Sequence, residues 1–159
     1  MIRTATKTDF EYLFSLYMHP QINRWLLYEM MPADLFLPIM DELLQKKALY
    51  IYEQEDKAVG MFKLVPMKFR NSHIMYLGGV AIHPDHAGKG YAKEMILDAM
   101  DLVKTLGFSR IELTVATSNH RAIDLYSKCG FKTEGILKNY TFLASENRYI
   151  DEQVMAYIG

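Results

Sequence analysis

The chain has 159 residues, with 18 Lys plus Arg against 19 Asp plus Glu and a net charge of −1, a balance that argues against a protein tracking a nucleic-acid backbone. Half of it is hydrophobic and 23% is charged, enough apolar mass to fill the core of one domain spanning 1–159. A lone cysteine leaves no internal disulfide and suits a reducing cytoplasm; no apolar run reaches the ~18–20 residues of a membrane span, and Met1 to Lys7 lack the layout of a signal peptide.

Met1 to Ala5 reads as a short first strand. Thr6 to Asp9 offers N-cap candidates ahead of Phe10, Leu13, Phe14 and Tyr17, whose spacing places them on one helix face, and His19-Pro20 closes that helix. Gln21 to Met31 reads as irregular, and Pro32 to Lys47 as a second helix. Ala48 to Glu53 and Lys57 to Pro66 flank the polar turn Gln54-Glu55-Asp56 and form a hairpin. His73 to Ile82 is an apolar strand with Gly78-Gly79 at its middle, where a bulge or a close backbone approach is expected. The helix after the next loop carries Ala92, Met95, Ile96, Ala99, Met100, Val103 and Leu106 on one face, and Gly107 sits at its C-terminal cap. Ile111, Leu113 and Val115 alternate with Arg110, Glu112 and Thr114 as a strand. Asn119 to Cys129 gives a further helix, and strands near Phe131–Thr141 and Arg148–Ile158 end the chain. The order β-α-α-β-β-β-α-β-α-β-β predicts an α/β (α+β) fold, a mixed sheet with helices on both faces.

The most informative stretch is Val80-Ala81-Ile82-His83-Pro84-Asp85-His86-Ala87-Gly88-Lys89-Gly90-Tyr91-Ala92. A strand ends, a glycine loop follows and a helix begins at once. Unpaired N–H groups at a helix start, with glycines that let an anion come close, suit a phosphate or pyrophosphate; a plain strand-to-helix turn is the simpler alternative. Gly90 after Lys89 breaks a Walker loop, and Lys93 stands where a dinucleotide fingerprint needs a third glycine. The second informative stretch is Asn119 to Phe131. Asn119 is a good N-cap, and Ala122, Ile123, Tyr126 and Cys129 share a face that turns Tyr126 toward the interior or a cleft, as a core tyrosine or a functional one.

Together the two stretches resemble the GNAT superfamily of N-acetyltransferases, over nearly the whole chain. The family's acetyl-CoA loop, Arg/Gln-x-x-Gly-x-Gly/Ala, aligns with Ala87-Gly88-Lys89-Gly90-Tyr91-Ala92, with Ala87 departing at the first position. Its helix motif Asn-x-x-Ala-x-x-Leu-Tyr-x-x-x-Gly-Phe is matched at Asn119, Ala122, Leu125, Tyr126, Gly130 and Phe131. Arg110 to Val115, Glu134-Gly135, Lys138 and Tyr149-x-Asp151 look like bacterial subgroups that acetylate L-amino acids or ribosomal-protein N-termini.

The resemblance implies a mostly antiparallel sheet splayed between its fourth and fifth strands, after Val80. It implies acetyl-CoA as co-substrate, a small primary amine as acceptor, and a homodimer among the possible assemblies. Val80, Ala81 and Ile82 would hold the pantetheine arm, and Ala87, Gly88, Lys89, Gly90, Tyr91 and Ala92 the pyrophosphate, with Asn119 and Tyr126 beside the thioester. Tyr126 is the candidate general acid, since a tyrosine is protonated at neutral pH and can serve the leaving thiolate. The family's strand carboxylate is missing from Tyr76 to Ile82, which leaves Glu112 as a base acting through water, or as a solvated strand residue, or no base at all. Trp25 and Tyr28 fall where this fold builds its acceptor pocket, and Arg24, Arg70 and Arg148 are candidate partners for an acceptor carboxylate. His83, Asp85 and His86 fit a tight turn better than a metal site, so no metal is expected. Cys129 reads as a small buried hydrophobe. The rival readings are a protein N-terminal acetyltransferase and a CoA-binding module without catalysis.

Overall fold

The computed structural model describes residues 1–159. Seven strands form one sheet: β1 (Ile2–Thr4), β2 (Leu49–Gln54), β3 (Lys57–Pro66), β4 (Ile74–Ile82), β5 (Arg110–Ala116), β6 (Lys132–Leu143) and β7 (Arg148–Ile158). They lie in the order β1-β2-β3-β4-β5-β7-β6, antiparallel except for the β4–β5 pair. The helices are α1 (Phe10–Tyr17), α2 (Pro20–Asn23), α3 (Ala33–Gln45), α4 (Tyr91–Thr105) and α5 (His120–Lys128).

Alternation along the strands divides the interior in two. Tyr52, Val59, Phe62 and Leu64 face one side with Met95, Ile96, Ala99 and Val103 of α4, and Tyr126 joins them from α5. Leu49, Ile51 and Met61 face the other with Leu13, Leu16 and Tyr17 of α1 and Phe36 and Met40 of α3. The predicted helices on both faces are therefore present, because period-two strands expose one apolar set to each layer.

The sheet opens in the middle. β4 and β5 pair only at Ile74–Arg110, Met75–Ile111 and Tyr76–Glu112. β5 stays paired with β7 from Arg110–Ile158 to Ala116–Glu152, so β4 is the strand that turns away. The bend comes from the Gly78-Gly79 pair, where the β3–β4 register shifts between Met61 and Lys63 and Gly79 takes φ of 57°, a bulge conformation that glycine adopts cheaply. The expected splay exists but begins after Tyr76, four residues before Val80, because a bulge at Gly79 already carries its strand off the parallel ladder.

One departure matters for the site. Within the stretch read as irregular, Pro20–Asn23 forms a helical turn. His19 Nδ1 accepts from Gln21 N–H at 3.1 Å, and proline is pre-set for the first helical position. Asn23 Nδ2 then donates to the Tyr17 and Tyr28 carbonyls at 2.7 and 2.9 Å. This clamp fixes the loop that carries Trp25.

The N-terminal edge is held by Asp9, which accepts from both terminal nitrogens of Arg3 at 2.8 Å and from Thr6 N–H at 2.8 Å. Arg3 holds the Asp9 carboxyl below its ordinary range. Its contribution is therefore complete above the unfolded-state value near 3.8 and is lost as pH falls through the lower folded value. Asp9→Asn is expected to cost about 2 kcal/mol at neutral pH, a gap that closes in strong acid. Thermal melts across pH check this; equal stability of the two proteins at neutral pH would contradict it.

Candidate active site

Two cavities meet in the opening between β4 and β5. The first, of about 530 Å³, runs along the end of β4, the glycine loop and the outer face of α5. The second, of about 600 Å³, lies behind it between β3, β4, β5, the α2–α3 loop and the β6–β7 ribbon. Gln21, Ile22, Trp25, Val80, Ala81, Asn119, Ala122 and Tyr126 line both.

The first cavity collects most residues expected to hold acetyl-CoA: Val80, Ala81, Ile82, Ala87, Gly88, Gly90, Tyr91, Ala92, Asn119 and Tyr126 all line it. Lys89 does not. Gly88 and Gly90 take φ of 78° and 80°, and a Cβ on either would meet nothing within 4 Å. The backbone is thus bare on the side facing the cavity. Glu94 N–H is the first to reach back along α4, to Gly90 O at 3.3 Å, so the preceding N–H groups have no helical acceptor and can receive an anion. Past Tyr76 the β5-facing edge of β4 is unpaired, free to bind an extended chain as an added strand does. Lys93 and Arg121 also line this cavity, cations the sequence reading did not assign.

Tyr126 stands in the shared wall. Its side chain is buried, and burial together with nearby Tyr76 pushes its hydroxyl well above the usual phenol range, so it is a proton donor at any physiological pH. Its ring meets Phe131 edge-on at 5.9 Å, and the residue lines both cavities. Asn119 caps α5, its Oδ1 accepting from Ala122 N–H at 3.3 Å, and its amide nitrogen stays available to a ligand.

The second cavity departs from expectation. Trp25 lines it, but Tyr28 does not. Tyr28 packs on Tyr17 and Phe36 at 5.6 and 5.8 Å and borders a separate depression of about 240 Å³, because the Asn23 clamp turns that residue inward. Glu112 is not brought to the cavity either. Its carboxylate accepts from Arg110 Nε at 2.9 Å, and the same guanidinium holds Glu134, so Glu112 is tied into an ion-pair cluster and only Thr114 of that side of β5 reaches the cavity. The charged groups that do line the cavity are Arg24, Lys63 and Glu152. Arg24 is spoken for by Glu146 at 3.7 Å and by the Trp25 ring at 4.9 Å. Glu152 accepts from Thr141 Oγ1 at 2.6 Å, and Tyr76 lies 3.4 Å from Thr114 Oγ1. Lys63 had one sequence signal: it is the sole charge within the apolar run Val59 to Val65.

Cys129 is buried, and burial pushes its thiol up, away from nucleophilic use. His83 Nδ1 accepts from Asp85 N–H at 3.2 Å within a turn, and no group of three or more His, Cys, Asp or Glu is arranged to hold a metal. No helix is long and apolar enough to cross a membrane.

Residues 7–131 match the Acetyltransferase (GNAT) family. The chain belongs to that family. It is 30% identical over 122 residues to an uncharacterized N-acetyltransferase of Bacillus subtilis, covering 77% of this chain and 74% of the relative. It is likewise 30% identical over 111 residues to a spermidine N(1)-acetyltransferase of Vibrio cholerae, covering 69% and 62%. In fold it is similar to the Vibrio cholerae spermidine N-acetyltransferase solved with CoA and spermine, at a TM-score of 0.87 and 24% identity over 99% of this chain and 94% of that one. It also superposes on a ribosomal-protein-alanine N-acetyltransferase of Brucella melitensis, with a TM-score of 0.83 and 19% identity over 100% and 99%. A GNAT chain with relatives of this kind is an acyl-CoA-dependent N-acetyltransferase that uses acetyl-CoA.

Proposed function

We propose that this GNAT enzyme transfers the acetyl group of acetyl-CoA directly to the primary amine of a small molecule, an L-amino acid being one such acceptor. One observation carries the reading: buried Tyr126 lines the wall common to two cavities of the size that small ligands occupy, and burial favours the protonated form of its hydroxyl.

The backbone N–H groups from Gly88 to Ala92 receive the pyrophosphate, and Lys93 and Arg121 supply the positive charge that Ala87 no longer offers. The free edge of β4 at Val80 to Ile82 aligns the pantetheine arm and brings the thioester to Tyr126. The acceptor sits in the second cavity, and its neutral nitrogen attacks the thioester carbonyl carbon. As the carbon–sulfur bond breaks, Tyr126 donates to the leaving sulfur, and the proton shed by the nitrogen restores the tyrosine. An α-amine at a peptide terminus, with a pKa near 8, is about a tenth neutral at pH 7; that of a free amino acid is more basic, and attack proceeds from its smaller neutral fraction. Holding both reactants in one opening supplies much of the rate.

The test is acetyl-CoA-dependent release of CoA thiol, with L-amino acids, spermidine and a short peptide bearing a free N-terminus offered separately. Release with a small amine supports the reading. Release with the peptide alone would replace it by a protein N-terminal acetyltransferase. No release with any of them, while acetyl-CoA still raises the melting temperature, would leave a binding module.

A further inference from the structure

Lys63 is 8% exposed, lies at the middle of β3 opposite Gly78 and lines the second cavity. It enters none of the chain's ion pairs. Its nearest compensation is the Tyr28 ring, 5.6 Å from the ammonium nitrogen. An ammonium this deep without an anion is costly, and burial accordingly pulls Lys63 below the usual lysine range. A structure that keeps such a group at the wall of a cavity leaves its partner to be supplied by whatever fills that cavity.

We infer that Lys63 anchors an acceptor carboxylate, so that the acceptor is an amino acid or another amine bearing a carboxylate. This rests on the amine-acetylation reading above. Two further observations fit a ligand of this charge pattern. Gly78 brings the β4 backbone against Lys63 where a side chain would crowd the cavity wall: a Cβ there would lie 3.5 Å from Lys63 Cε and only 2.8 Å from the Tyr76 ring. Glu152 is the single carboxylate lining the cavity and can accept a hydrogen bond from the amine end of the same molecule. A polyamine would bring only positive charge to the buried lysine. Of the arginines that sequence suggested for this role, Arg24 lines the cavity but is far more exposed than Lys63 and shares Glu146 with Arg148, and Arg70 lies on an exposed turn outside the cavity.

The experiment compares kcat/KM for the best L-amino acid, its amide, the amine left when the carboxylate is removed, and spermidine, in the wild type, Lys63→Met and Lys63→Arg. The wild type is expected to favour the acid over its amide by at least about 30-fold. In Lys63→Met that ratio collapses toward one, chiefly through the KM of the acid, whereas Lys63→Arg retains most of it. Melting temperatures separate loss of the anchor from loss of the fold. A Lys63→Met variant that lowers kcat equally for acid and amide, with both KM values unmoved, would overturn the anchor. So would a wild type that prefers the amide or spermidine to every amino acid, an outcome that leaves the transferase reading standing. No thiol release from any acceptor would overturn both.

Discussion

Tyr126→Phe is expected to lower kcat by about 10²–10³-fold, within the range of a lost general acid, while the affinity for acetyl-CoA stays close to that of the wild type. The two halves of this expectation come from the same geometry. The ring is buried and packs on Phe131, so phenylalanine keeps the packing and the fold. Only the hydroxyl is removed, and it takes part in no bond that phenylalanine would break within the chain; burial and the neighbouring Tyr76 keep it protonated. What disappears is the proposed donor to the leaving sulfur, which would matter chiefly once negative charge develops there. Steady-state kinetics with a titration of acetyl-CoA check this. Turnover near the wild-type level would remove Tyr126 from the reaction and return it to the role of a core tyrosine.

Gly90→Asn is expected to abolish detectable acetyl-CoA binding. Asparagine tolerates the left-handed conformation better than most residues, so the loop at φ of 80° keeps its path and the strain is modest. Its side chain projects into the space that is bare around Gly90, where the pyrophosphate is proposed to approach the start of α4. The control is Gly107→Asn at the other end of the same helix, where φ is 92° and the space is equally open. That variant carries a similar backbone cost far from the cavity and is expected to bind acetyl-CoA normally. Isothermal titration of both variants decides it. If Gly90→Asn binds as Gly107→Asn does, the glycine loop is not the anion cradle.

Local patterns in the sequence carried the parts of the molecule that local physics determines. The apolar stripe of α4, the hairpin around Gln54-Glu55-Asp56 and the glycine loop before a helix were all legible, since each depends on residues close together in the chain. The start of the splay was not. It follows from where β4 loses register with β5 while β5 keeps its pairing to β7, a long-range matter that a Gly-Gly pair announces but does not locate. Glu112 failed in a related way: alternation placed it on the polar side of β5, but only the fold brings Arg110 and Glu134 together on that side. Tyr28 and Trp25 looked equivalent in the sequence, but in the fold Tyr28 packs half-buried against Tyr17 and Phe36 while Trp25 stays at the cavity. Lys63 was overlooked because an apolar run with one lysine reads as a strand with an exposed position, whereas the second layer of helices buries that position.

The measurement that tests the account most directly is the mass balance of one reaction: acetyl-CoA and an accepting L-amino acid incubated with the enzyme, with free CoA thiol and N-acetylated product both quantified. The account predicts one acetylated amine for each thiol released, with neither formed when the acceptor is omitted. Thiol released without an acetylated amine would mean that water, not an amine in the second cavity, receives the acetyl group, and would contradict it.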